Sequence, residues 1–249
     1  MKYIFLLISL YLILLSQSCN RSLNVSEIKV AVAADLYPFA YTDDGELEGL
    51  EIELLALLES RLRVPFNITT YSFVNLLESF HNGDYDIAIG AITITEGRRE
   101  IFNFSTPYFT ATQTFLARPE TSIVVDSLDA ITGHRIGVLN HSTSQLFIEN
   151  TLLRERRLPA GNLRRYNNLN ALLTALTATE VNLIILENTI AILAAEQYNL
   201  EIVFTHYIDE YYGIAYKQNS FVSPHIDRAL GRILNSEEWK DILRKHLLK

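Results

Sequence analysis

One charge in this 249-residue chain is placed where solvent alone does not explain it. Glu187 directly follows the apolar run Val181-Asn182-Leu183-Ile184-Ile185-Leu186. An acid at the end of such a run reads either as a buried core group or, if it faces a cleft, as the partner of a positive charge. Catalytic chemistry is harder to place. The chain has no nucleophile elbow, no His-Glu-x-x-His zinc motif and no phosphate loop. Its six histidines, at positions 81, 134, 141, 206, 225 and 246, show no paired ligand spacing, so no metal and no other cofactor is expected. A single cysteine, Cys19, excludes a disulfide framework within the chain and any cysteine-built metal cluster. A net charge of −8, without a basic stripe to neutralise phosphates, argues against nucleic acid as a partner.

The elements that would position a site alternate in type. Residues 28–33 form a short apolar strand, and the turn Asp43-Asp44-Gly45 follows. Ile52, Leu55, Leu58 and Leu62 then recur at helical spacing, as do Val74, Leu77 and Phe80. Residues 86–92 read as a buried strand. The pattern repeats with strands at 136–139 and 181–186, helices at 143–153 and 169–176, and two terminal helices within 226–248. Alternation of this kind predicts α/β layers with largely parallel sheets, whose ligand crevices open beyond the carboxyl ends of the strands. The loops after Ala33, Ile92, Leu139 and Leu186 are therefore where functional residues belong.

At the N-terminus, Met1-Lys2 precedes an apolar stretch over residues 3–15, interrupted only by Ser9. It is too short for a confident spanning helix and reads as a secretory signal peptide over residues 1–18, with an uncleaved anchor as the alternative. Cys19 follows directly, in Leu15-Ser16-Gln17-Ser18-Cys19, and the segment resembles a bacterial lipobox. It departs from that pattern at Ser16, where an aliphatic residue is usual. Lipidation of Cys19 would tether the chain to a membrane through burial of acyl chains; ordinary signal cleavage is the alternative.

Several motifs in the remaining chain stand in one order: Tyr37-Pro38-Phe39; Gly49-Leu50-Glu51-Ile52-Glu53-Leu54; Gly83-Asp84-Tyr85-Asp86-Ile87-Ala88; Thr93-Ile94-Thr95-Glu96-Gly97-Arg98; and Phe104-Ser105-Thr106-Pro107-Tyr108. Arg135-Ile136-Gly137-Val138, Ser142-Thr143, residues 181–187 and Tyr212-Gly213-Ile214-Ala215 continue it. In this order and spacing the chain resembles bacterial extracellular solute-binding proteins of the polar amino-acid class. The resemblance implies a type II periplasmic-binding-protein fold, two α/β lobes joined by two hinge strands around a ligand cleft. Lobe 1 would comprise residues 26–112 and 213–249, lobe 2 residues 113–212, and residues 19–25 a leader.

The resemblance also assigns roles. Arg98 matches the arginine that grips the ligand's α-carboxylate, and a guanidinium fork suits a carboxylate well. Arg99 is the alternative, although the spacing to Phe104-Ser105 favours Arg98. Thr93 matches the position whose hydroxyl and backbone also meet the carboxylate, with an ordinary strand-end threonine as the alternative, and Ala91 is a further ligand contact. Ser142 and Thr143 start a helix, whose free N–H groups suit a carboxylate; a plain N-cap is the alternative. Glu187 stands where the family usually has an aspartate that binds the ligand's ammonium. Phe73 matches an aromatic that covers the ligand, or is core. Tyr37 and Tyr212 are further contacts, Tyr212 with hinge packing as its alternative. His141 occupies a position usually held by glycine, where positive φ or close backbone approach is needed. The implied function is capture of an amino acid for an ABC transporter permease by a non-enzymatic, extracytoplasmic, membrane-tethered monomer. An enzyme resembling cyclohexadienyl dehydratases, or a ligand-sensing lipoprotein, are the alternatives.

Overall fold

The computed structural model describes residue 23 and residues 25–247, so the expected signal peptide and Cys19 lie outside the described residues. In chain order the strands are β1 (Ile28–Ala33), β2 (Asp35–Leu36), β3 (Ala40–Asp43), β4 (Glu46–Glu48), β5 (Phe66–Tyr71), β6 (Ile87–Ile89) and β7 (Asn103–Phe104). They continue with β8 (Phe109–Ala117), β9 (Ile136–Leu139), β10 (Leu163–Tyr166), β11 (Leu183–Glu187), β12 (Glu201–Tyr212) and β13 (Ala215–Tyr216). The α-helices are α1 (Leu50–Leu62), α2 (Phe73–Asn82), α3 (Glu96–Arg99), α4 (Thr143–Ile148), α5 (Leu169–Thr177), α6 (Asn188–Tyr198), α7 (Ser223–Ile233) and α8 (Glu237–Leu247).

Two five-stranded sheets organise the molecule, with orders β5-β1-β6-β13-β7 and β10-β9-β11-β8-β12, beside the antiparallel meander β2-β3-β4. The first sheet takes its fourth strand, β13, from the far end of the chain. Strand period two explains how each sheet serves two cores. In β1, Val30 and Val32 join Leu54 and Leu58 of α1 in one cluster, while Ala31 and Ala33 face Leu76 and Phe80 of α2 in another. In β11, Ile184 and Leu186 belong to the first of these clusters, whereas Leu183 and Ile185 pack with Phe115, Ile136 and Ile148. With both faces covered, these strands are apolar but for Lys29 of β1 and Glu187 of β11.

Differences from the expected elements have local causes. The helix expected over 143–153 is α-helical only to Ile148; Glu149–Leu153 is a π-helical turn, with Arg154 N–H donating to the Glu149 carbonyl five residues back. The strand expected over 86–92 is confined to β6, because Gly90 turns away at φ +152°. A Cβ at Gly90 would stand 2.4 Å from Cβ of Ala33, so only glycine fits. The strand expected over 181–186 starts at Leu183 and includes Glu187, which sets that carboxylate on the sheet itself.

α5 shows how a helix is fixed at its start. Asn168 accepts the Ala171 N–H through Oδ1 at 2.8 Å, and Leu169, Leu172, Leu173 and Leu176 are buried. Asn168→Ala is expected to cost about 1 kcal/mol, read as a lower urea midpoint at unchanged slope.

The chain passes between the sheets twice, at 104–109 and 212–215, and the two crossings are bonded to each other. Ser105 N–H donates to the Ile214 carbonyl (2.9 Å), Tyr108 N–H to the Tyr212 carbonyl (3.0 Å) and Gly213 N–H to the Ile92 carbonyl (3.1 Å). Thr93 makes an antiparallel bridge with Tyr212. This double crossing brings the loop after β6 next to the end of β12.

Candidate functional site

The loop from β6 to α3 carries the cationic side. Thr95 caps α3 by accepting the Arg98 N–H through Oγ1 at 3.2 Å, which holds Arg98 on a single helical turn. The guanidinium is half-buried and donates in two directions. Nη1 bonds the Thr93 carbonyl at 2.8 Å, and Nη2 bonds the His141 carbonyl at 3.1 Å. Arg98 thus bridges a loop of the first sheet and the loop after β9 of the second. Burial pulls its affinity for the proton down, and the Glu187 and Glu210 carboxylates oppose that pull. Its neighbour Arg99 is exposed.

His141 has φ +61°, the left-handed conformation that glycine ordinarily supplies at such a position. Its side chain is exposed, its N–H donates to Gln145 Oε1 at 2.7 Å, and its carbonyl is the acceptor for Arg98. Ser142 is the N-cap of α4. Its Oγ accepts the Gln145 N–H at 3.1 Å and donates to the Leu139 carbonyl at 2.7 Å, so this hydroxyl is committed to the helix start. Thr143 is buried and points its hydroxyl towards β12.

Glu187 closes β11, is 7% exposed, and lies opposite Gln113 of β8 in an antiparallel pair. Burial raises its pKa to about 7, helped by the nearby Glu210 charge and opposed by Arg98. Glu210 and Gln113 are the residues that sequence reasoning missed. Glu210 Oε1 accepts from Gln113 Nε2 at 2.7 Å; its Oε2 accepts from Thr143 Oγ1 at 2.8 Å and Thr93 Oγ1 at 3.4 Å. The only signal for it was an acid three residues before the Gly213-Ile214-Ala215 motif, six residues beyond the short apolar run Ile202-Val203-Phe204.

Ala91 sits at φ +49°, its N–H donating to Glu51 Oε1 at 2.7 Å. Glu51 is fully buried, also accepts from the Tyr108 hydroxyl, and its Oε2 has no partner among the described residues. Burial lifts its pKa to about 7 against those two hydrogen bonds. Glu51 therefore supports the loop from below rather than lining it. Tyr212 is fully buried, packed edge-on against Phe39 (centroids 5.3 Å) and stacked with Phe109 (5.7 Å), and its hydroxyl has no partner among the described residues. Phe73 is partly buried at the start of α2, where its N–H donates to Asp35 Oδ1 at 2.8 Å. Tyr37 packs edge-on against Tyr41 (4.9 Å) and lines a separate cavity of about 1230 Å³ between the meander, α1, α5 and α6. Arg98, Thr93, Thr143, Glu187 and Tyr212 are brought together at the double crossing; Tyr37 is not part of that group.

The chain has clear relatives. The family model described as bacterial extracellular solute-binding proteins, family 3, matches residues 28–249. A probable histidine-binding protein of Neisseria gonorrhoeae is 22% identical over 227 residues, spanning 89% of this chain and 83% of its own. The ABC transporter glutamine-binding protein GlnH of Bacillus subtilis is 26% identical over 219 residues, 84% of this chain and 76% of its own. Among solved structures, the arginine-, lysine-, histidine-binding protein ArtJ of Geobacillus stearothermophilus superposes with a TM-score of 0.82 at 24% identity, covering 90% of this chain and 96% of that one. The fold is that of the type II periplasmic binding proteins.

Proposed function

The chain belongs to the bacterial extracellular solute-binding proteins, family 3, and from that premise we propose that it captures a free amino acid between its two sheets and delivers it to the permease of an ABC transporter. The supporting observation is that a cation on the first sheet's loop, Arg98, and a buried acid on the second sheet, Glu187, lie within electrostatic reach of each other at the double crossing. A free α-amino acid carries the complementary pair of charges. Its carboxylate takes the guanidinium fork, Thr93 and the N–H groups that open α4, and its ammonium takes Glu187, with Ala91 as a further contact.

Both charges are satisfied only when the sheets approach, so the ligand binds the closed arrangement better than an open one and shifts the population towards it. Residues 26–112 and 213–249 act as one lobe and residues 113–212 as the other, with Phe73 supplying an apolar wall and Tyr212 packing the crossing behind it. The protein works outside the cytoplasm, exported by the signal peptide of residues 1–18 and tethered through a lipid on Cys19, as a monomer.

The test is a thermal-shift screen of the purified protein against the free amino acids. At least one raises the melting temperature in a saturable, concentration-dependent way, because a ligand that binds only the native state stabilises it. No shift with any of them, supported by calorimetry, sinks the proposal. Binding without turnover is part of it: incubation with prephenate yields no product.

A further inference from the structure

One arginine facing one glutamate matches a neutral zwitterion, but the structure places a second carboxylate beside them. Glu210 stands where the pairing of β12 with β8 shifts register, between His206 and Glu210. Its three donors are themselves fixed: Gln113 is 1% exposed, Thr93 4% and Thr143 7%. Gln113 is held at its other end by the Ser144 hydroxyl, which donates to Oε1 at 2.6 Å. Gln113 is also the cross-strand partner of Glu187, so the two side chains share one face of the sheet as neighbours. The amide that holds Glu210 therefore stands beside Glu187.

We infer that Glu210 sets the charge of the ligand, so that the cleft selects amino acids with a positively charged side chain over neutral ones of the same shape. This rests on the amino-acid reading of the cleft. Arg98 balances one carboxylate, so the half-buried Glu210 beside the buried Glu187 leaves the group with one negative charge in excess. A neutral zwitterion brings one charge of each sign and leaves that imbalance standing, whereas a ligand of net charge +1 removes it. The fully buried Tyr212 hydroxyl has no partner among the described residues and lies in the field of both carboxylates, which marks the same spot as incompletely satisfied. The raised pKa of Glu187, to which the Glu210 charge contributes, has the same origin.

Isothermal titration calorimetry on the full protein decides it, using two near-isosteric pairs, L-arginine with L-citrulline and L-lysine with L-norleucine. The expected result is a preference of at least about tenfold for the charged member of a pair. Glu210→Gln lowers that ratio by about tenfold, and Glu210→Asp, which keeps the charge, retains most of it. Neutral members binding as tightly as charged ones in the unaltered protein overturn the inference without any variant. So does a ratio unchanged in Glu210→Gln. Failure of every amino acid to bind overturns the functional proposal itself and this inference with it.

Discussion

Arg98→Ala is expected to weaken amino-acid binding by about 10²–10³·⁵-fold, equivalent to about 3–5 kcal/mol. The magnitude follows from what is left behind. A carboxylate bound in the cleft would lose its bidentate partner while remaining away from water, and an unpaired buried charge is far more costly than the pair was favourable. The variant also frees the Thr93 and His141 carbonyls, both of which Arg98 bonds here. Arg98→Lys keeps the charge but not the planar fork, so its loss falls between the two. The ligand-free variant is expected to unfold at a lower temperature as well, because the Thr93 and His141 carbonyls and the buried Glu187 carboxylate lose their cationic partner, so binding is measured well below that temperature. Calorimetry showing undiminished binding by Arg98→Ala removes Arg98 from the site.

Glu51→Gln is expected to flatten part of the pH dependence of stability. The Glu51 pKa is about 7 in the folded protein against an ordinary 4.5. Below pH 4.5 the group is protonated in both states and the folded protein has its full advantage. Between 4.5 and 7 the unfolded chain ionises while the buried carboxyl resists, so stability falls as pH rises, by about 3 kcal/mol in all. Above 7 the contribution is constant. Glutamine keeps an oxygen for the Ala91 N–H and the Tyr108 hydroxyl but cannot ionise. Relative to the unaltered protein, Glu51→Gln therefore gains about 3 kcal/mol between pH 4.5 and 8. Glu187 adds a change of the same sign in both proteins, which cancels in the difference. Urea denaturation series at several pH values measure this, and parallel curves for the two proteins exclude it.

Much of the framework was legible because it rests on local periodicity. Ile28–Ala33 and Ile136–Leu139 fall where short apolar runs predict strands, and α1 and α2 follow their helical repeats. β12 was not legible. It is twelve residues of mixed polarity with mostly exposed or half-buried side chains, and it exists because β8 offers a ladder for it. Pairing across about ninety residues leaves no trace in neighbouring residue types. The same reason hid Glu210. Gln113, by contrast, lies in a largely buried strand of mixed polarity and is buried for its hydrogen bonds, to Ser144 and Glu210, rather than for its packing.

The sequence by itself determined the element alternation, the family-like motif order and the chemical types at Arg98, Thr93, Thr143 and Glu187, because each depends on residue identity and short spacing. The tertiary structure decided which of these meet and what stands among them. It returned β13 to the first sheet, laid the two crossings side by side, and bent His141 to φ +61° so that its carbonyl reaches Arg98. It also set Glu210 beside Glu187 through Gln113. Charge balance in a cleft is a property of distances between residues remote in the chain, and only folding fixes those distances.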